Sequence, residues 1–210
     1  MRILLLGATG RTGRRVLARL ETASHQVVTY GRRPGGGTWS LTGPVDNVER
    51  LREACHGADA VLSCLASTNA EPVCSSATAA LVASGVRIPR YVVASTAGIE
   101  MPGDARGPLD QIADRVLGLF LGDMLADRRA ELEILQGSDL PWTVLRPPRL
   151  TNRPGRGTWR FDRDRPHTSG ISRDDLAGAL IEALGREDLI AKAPFVSEMN
   201  GERASKGRRR

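Results

Sequence analysis

Three glycines spaced three apart, Gly7, Gly10 and Gly13, and two adjacent arginines, Arg32 and Arg33, are the residues whose types and spacing suit a definite chemistry. Glycine lets a backbone come close to an anion, and the first amides of a helix, helped by its dipole, attract a phosphate. A guanidinium fork matches a further phosphate through paired hydrogen bonds. The two features together describe a grip on a dinucleotide, with Thr9, Arg11 and Thr12 filling the turn between the glycines. A second set, Ser95, Thr96 and His167, holds the hydroxyls and imidazole from which catalysis would be drawn.

The glycine turn has meaning only in context, because many such turns merely connect elements. Here residues 3–6 form an unbroken apolar run, as in a strand buried on both faces of a parallel sheet. After the turn, Val16, Leu17 and Leu20 recur at helical spacing. Strand, turn and helix in that order place the helix start against a ligand's phosphates. Residues 26–30 read as the next strand, ending in a flexible basic loop at 31–37. An NAD-binding fold usually sets an acidic side chain at that point, on the ribose 2′-hydroxyl. From there no Asp or Glu appears until Asp46, and Arg32 and Arg33 stand there instead, which favours NADP(H) over NAD(H).

The rest of the chain alternates in the same way. A helix is expected over 46–55, with Val48, Leu51 and Cys55 on one face, and a strand over 58–65. The end of that strand, with Leu65, Ala66, Ser67, Thr68 and Asn69, would line the cofactor. A small-residue helix over 71–84 stops at Gly85, and a strand over 90–98 brings Ser95 and Thr96 to the sheet's carboxyl edge, where ligands bind in open α/β sheets. Residues 99–107 form a long loop suited to a lid or to substrate recognition. Residues 108–136 read as a helix with Ile112, Val116, Leu119, Phe120, Met124, Leu125, Leu132 and Leu135 as its apolar positions. Arg128 and Glu131 stand three apart on it, and Arg129 and Glu133 four apart, which reads first as solvated surface ion pairs. A turn and strand follow over 138–148, a strand over 157–161, a helix opened by a capping-box pattern at 172–175, and a short strand over 193–196. The whole is an α/β chain: a single Rossmann-like, doubly wound, mostly parallel sheet with helices on both faces, spanning residues 1–200.

Gly7-Ala-Thr-Gly-Arg-Thr-Gly13 resembles the opening of the atypical short-chain dehydrogenase/reductases, the NAD(P)H-binding group that includes flavin/biliverdin reductase B and the NmrA-like proteins. The likeness continues at residues 138–148, which resemble that group's S-G-L-x-W-T-x-x-R-P element. There it closes the nicotinamide side of the pocket, so the resemblance implies cofactor contacts from Pro147 and Pro148. It also sets Arg128 where NmrA-like relatives carry a lysine. Two departures stand out. The group often carries Gly-Asp near the adenine, where this chain has Gly43-Pro44, leaving backbone, apolar atoms or Asp46 for that contact. A family serine and histidine fall at Ala97 and Arg149, so both are missing.

The net charge of +6 lies mostly in residues 201–210, whose net charge is +4. That segment reads as a disordered basic tail, and the remainder carries too little charge to suggest nucleic acid as a partner. Cys55, Cys64 and Cys74 lack paired or metal-binding spacing and read as reduced thiols, and no metal set is present. Apolar runs are too short for a membrane span, and no leader pattern opens the chain, so a cytoplasmic location is expected. Oligomeric state is not legible. A Tyr-x-x-x-Lys pair is missing, which argues against an ordinary alcohol dehydrogenase. The expected function is therefore an NADPH-dependent reductase delivering hydride to a small conjugated or aromatic acceptor such as a flavin or quinone. Ser95 and Thr96 would act as hydroxyl donors, Arg149 as an anchor for an electron-rich substrate, and His167 as the candidate proton donor. A cofactor-sensing regulator without turnover and a cofactor-retaining isomerase or dehydratase are the alternatives.

Overall fold

Unbroken apolar runs set the centre of the molecule, since a strand that is apolar on both faces must be covered on both. A computed structural model describes residues 1–67, 71–105 and 108–199, with the side chains of 108–121 left aside. Strands β1 (Arg2–Leu6), β2 (Gln26–Gly31), β3 (Trp39–Thr42), β4 (Ala60–Ser63), β5 (Tyr91–Ala94) and β6 (Trp142–Leu145) form one sheet. Its order is β3-β2-β1-β4-β5-β6, and every pairing in it is parallel. The direction of winding reverses between β1 and β4, which opens a crevice above their carboxyl ends.

The helices are α1 (Gly13–Thr22), α2 (Val48–Cys55), α3 (Val73–Ala83), α4 (Pro108–Gln136) and α5 (Arg173–Leu184). Alternate residues of the strands serve opposite faces. Ile3, Leu5, Val27, Leu62 and Val92 pack under α1 and α5, while Leu4, Leu6, Val28, Val61 and Val93 pack under α2, α3 and α4. Ile3 to Leu6 are fully buried, each worth about 1.5–3 kcal/mol of transfer free energy. The doubly wound fold is thus as the apolar pattern requires.

Several local expectations change. Strand β3 is not announced by the sequence, because its Trp-Ser-Leu-Thr run is short, half polar and mostly exposed at the sheet edge. The loop at 31–37, expected to be flexible, folds back onto β2. Gly35 lies so close to Ala8 and Thr29 that a Cβ would sit 2.8 Å from the Ala8 methyl. The Thr29 hydroxyl donates to the Gly36 carbonyl (2.7 Å), and the Thr38 amide donates to Val27 (2.8 Å). The strand expected at 193–196 is β10 (Phe195–Glu198), antiparallel to β8 (Trp159–Asp162), and β7 (Arg149–Thr151) pairs in parallel with β9 (Gly170–Ser172). The capping box is half formed: Ser172 Oγ accepts the Asp175 amide, but the Ser172 amide donates to Glu198 rather than back to Asp175. Asp175 instead accepts the amides of Arg156 and Gly157 at 2.9 and 2.8 Å. Thr68, Asn69, residues 106–107 and the basic tail lie outside the described residues, as do the side chains of Ile112, Val116, Leu119 and Phe120. Among the described residues no helix is long and apolar enough to cross a membrane.

Candidate functional site

The turn after β1 is built by close approach. Gly7 has φ +76°, and a Cβ there would stand 2.6 Å from the Cys64 carbonyl oxygen at the end of β4. A Cβ on Gly13 would stand 2.1 Å from the Gly7 carbonyl oxygen. The glycines therefore let α1 start directly against β1 and β4. Hydrogen bonds inside the turn use the amides of Gly10, Arg14, Arg15 and Val16. No backbone bond among the described residues takes those of Arg11 and Thr12, the first donors a phosphate would meet.

A cleft of about 400 Å³ opens over this turn, at the point where the winding reverses. Gly7, Thr9, Gly10 and Arg11 line it from β1, Arg32 and Arg33 from β2, and Leu65 and Ala66 from β4. The sequence-derived cofactor residues from three separate strands thus meet in one place. Among the described residues four arginines, Arg11, Arg14, Arg32 and Arg33, border this cleft and no Asp or Glu does. Arg14 carries no motif of its own and is found only from its place one residue past the third glycine. Val45 and Val73 also line the cleft, which gives an adenine ring apolar walls where Gly43-Pro44 replaces an acidic residue. Gly43 itself lies under the Tyr30 ring, and the Tyr30 hydroxyl donates to the Pro44 carbonyl (2.5 Å). Asp46 is exposed and does not line the cleft.

Other expected residues lie elsewhere. Thr12 sits at the N-cap of α1 and Gly13 is buried beneath Gly7, neither lining the cleft. Ser67, expected to face cofactor, turns away and donates its hydroxyl to Asp127 on α4. Ser95 and Thr96 leave the carboxyl end of β5 beside Pro147, whose carbonyl accepts the Ala97 amide (2.8 Å); Pro148 next to it is half-buried. Thr96 Oγ1 accepts the Gly98 amide. Ser95 Oγ is buried and, among the described residues, has no hydrogen-bond partner. Such an orphan normally has a ligand or a water to satisfy it. Arg149, at the start of β7, and His167, before β9, are both exposed and border none of this cleft.

Arg128 overturns its surface reading. It is 6% exposed, and its guanidinium donates to Glu131 (2.6 Å) and to the Leu65 carbonyl (2.5 Å). The ion pair expected from the spacing exists, but in the core, because α4 lays this face against β4 and α3. Burial works against the Arg128 charge, yet Glu131 holds it firmly protonated. Arg129 and Glu133, by contrast, are exposed. The loop after β5, suited on sequence to a lid, is fastened at its start. Arg146 pairs with Asp104 at 2.6 and 2.7 Å and donates to the Ile99 and Ala193 carbonyls, with Phe195 stacked 3.9 Å below its guanidinium. All three cysteines are free, and burial pushes each thiol up to about 12, so none is poised as a nucleophile.

Asp127 accepts the Ser67 and Ser75 hydroxyls and the Cys74 and Ser75 amides. Burial pushes its carboxyl up, but these four bonds more than reverse that and hold it at about 2, below the ordinary 3.8. A depressed folded value adds stability above the unfolded value, and that stability is lost as pH falls through the folded one. Asp127 should therefore contribute about 2 kcal/mol at neutral pH that disappears between about pH 5 and 2. Urea denaturation at pH 7 and pH 3 checks this. Asp127→Asn is expected to lower stability at pH 7 and to flatten the acid dependence, and an unchanged slope would refute the assignment.

A family profile described as NAD(P)H-binding matches residues 7–187. No curated protein sequence matches significantly. Among solved structures, the fold is similar to ChuY, an anaerobilin reductase from Escherichia coli O157:H7, at TM-score 0.76 and 18% identity, over 97% of this chain and 100% of that one. It is also similar to a short-chain dehydrogenase/reductase from Veillonella parvula in complex with NADP, at TM-score 0.75 and 21% identity, over 94% of each chain. The oxidoreductase ylbE from Lactococcus lactis matches at TM-score 0.75 and 19% identity, over 95% of this chain and 91% of that one.

Proposed function

The chain belongs to the NAD(P)H-binding family, and from that premise we propose that it is an NADPH-dependent reductase acting on a small conjugated or aromatic acceptor. The observation that carries the cofactor reading is the cleft itself: phosphate-ready amides and, among the described residues, four bordering arginines and no bordering carboxylate. The amides of Arg11 and Thr12 would hold the pyrophosphate, and Arg32 and Arg33 the 2′-phosphate. Val45 and Val73 would sandwich the adenine. Ser95 Oγ, buried and without a partner among the described residues, fits a contact to the nicotinamide half, since β5 lies beyond the switch point from β2. Pro147 and Pro148, beside it, would wall that half.

When bound, the reduced nicotinamide supplies hydride, and in this site solvent supplies the accompanying proton. Arg149 and His167 are both exposed and border none of the cleft, so neither is placed as the acid. A hydride acceptor that needs no enzymic acid is a conjugated one, which is why flavins, quinones and extended pigments are the substrate class. The anaerobilin reductase among the similar folds fits this class. Ser95 and Thr96 are left to orient such an acceptor.

The test is a fluorescence titration with NADPH followed by a panel of flavins, quinones and linear tetrapyrroles, read as loss of NADPH absorbance. Binding near micromolar with turnover of at least one acceptor is expected. Tight binding with no turnover across the panel would favour a cofactor-sensing regulator, and no binding would remove the reading altogether.

A further inference from the structure

The buried polar group on α4 is unexplained by the cofactor contacts alone. Asp127 and Arg128 are neighbours, yet they reach different parts of one wall. Arg128 donates to the Leu65 carbonyl, and Leu65 and Ala66 border the cleft. Asp127 takes the Ser67 hydroxyl, just beyond Ala66, and the Cys74 and Ser75 amides that open α3, next to Val73 on the cleft border. Glu131 fixes the guanidinium from the far side and itself accepts the Thr78 hydroxyl of α3 (3.2 Å). All of these side chains are nearly inaccessible to water: Asp127 is 5%, Arg128 6% and Glu131 1% exposed. Burying two carboxylates and a guanidinium is costly for a domain that could be held by apolar residues instead. The arrangement makes sense where a wall must stand in one exact place.

We infer that Asp127 and Arg128 are positioning residues which pin residues 65–67 and the start of α3 to α4, and so preform the wall of the dinucleotide cleft. This rests on the proposed cofactor reading. Neither side chain borders the cleft, so neither touches the ligand. Their effect falls on affinity, since a wall that must be ordered on binding takes its ordering cost out of the binding free energy. Loss of this pinning should raise the Kd and KM for NADPH and leave kcat nearly unchanged, the signature of uniform binding.

The experiment uses the full chain and NADPH. Arg128→Lys keeps the charge opposite Glu131 but cannot span both Glu131 and Leu65, and its Kd is expected to rise about ten-fold. Ser67→Ala, a milder change, removes one bond to Asp127 and should raise Kd about three-fold, which keeps the test open if the first variant folds poorly. Arg90→Lys is the control. Arg90 is equally buried but serves the amino-terminal end of β5, bonding Thr143 and the Pro141 and Ala183 carbonyls. A rise in either test variant with kcat and the control unchanged supports the inference. Kd values within two-fold of the parent in both variants overturn it, and so does an equal rise in the control. Failure of the parent protein to bind NADPH would strike the cofactor reading instead.

Discussion

Replacing Gly13 with alanine is expected to abolish NADPH binding and to remove about 3 kcal/mol or more of stability, an overpacking cost at the upper end of its usual range. The added carbon would stand 2.1 Å from the Gly7 carbonyl oxygen, 2.8 Å from its carbon and 3.0 Å from the Ala8 Cα. All three are backbone atoms, so no flexible side chain can swing aside. Gly7 cannot retreat either, because it already stands against the Cys64 carbonyl in the left-handed region. Relief must come from lifting α1 off β1, which would uncover Val16, Leu17 and Leu20 and splay the amides that face the cleft. A domain of this size has only about 5–15 kcal/mol to lose. Urea denaturation gives the stability, and NADPH titration of the remaining folded protein gives the affinity. A variant with parental values in both would mean that the tight turn is not what positions the helix.

The same residues show why so much of this fold could be read in advance. Ile3 to Leu6 and Ala60 to Leu62 are buried on both faces, so their apolar runs carry their own signal, and Gly10 and Gly13 are dictated by Gly7 within the turn, while Gly7 itself is demanded by Cys64, 57 residues on. That Arg32 and Arg33 border the cleft was legible for a topological reason: the end of the second strand lies beside the crevice in any sheet wound this way. Arg128 was not legible, because spacing on a helix says which residues share a face but not whether that face is covered. Here β4 and α3 cover it, and both lie more than 30 residues away in sequence. Ser67 was misread for a related reason. Its place after β4 put it near the cofactor, but side-chain direction there depends on Asp127, sixty residues later. Arg14 and Val73 were missed because a cleft is bounded by whatever the backbone brings to its rim, motif or not. Strand β3 alternates Trp39 and Leu41 with Ser40 and Thr42 over only four residues, too short a pattern to announce itself, and it is held at the edge by its ladder to β2, by Ser40 bonds to Thr29 and Gly35 and by Leu41 against the core.

Arg146 bears on the substrate side in the same way. Its bidentate pair with Asp104 ties the exit of β6 to the loop after β5, so the region that would meet the acceptor begins from a fixed base.

Removal of both Arg32 and Arg33, as alanines, is expected to raise the KM for NADPH about a hundred-fold while changing that for NADH less than three-fold. Each arginine borders the cleft at the end of β2, where the 2′-position of an adenosine ribose would lie. A charge-assisted hydrogen bond to phosphate contributes roughly 1.5–3 kcal/mol, and both arginines are exposed, so the lower end applies. Two such losses correspond to about 3 kcal/mol, or about two decades in affinity. NADH lacks the phosphate and should feel only the reduced general potential. Salt gives a second readout, since screening of exposed charges makes the parent's NADPH preference shrink as ionic strength rises, while the double variant should be flat. Steady-state kcat/KM for both coenzymes, with one acceptor at two salt concentrations, decides the matter. An unchanged coenzyme ratio would move the 2′-phosphate away from β2, and Arg11 and Arg14 on the other rim would then be the groups to replace.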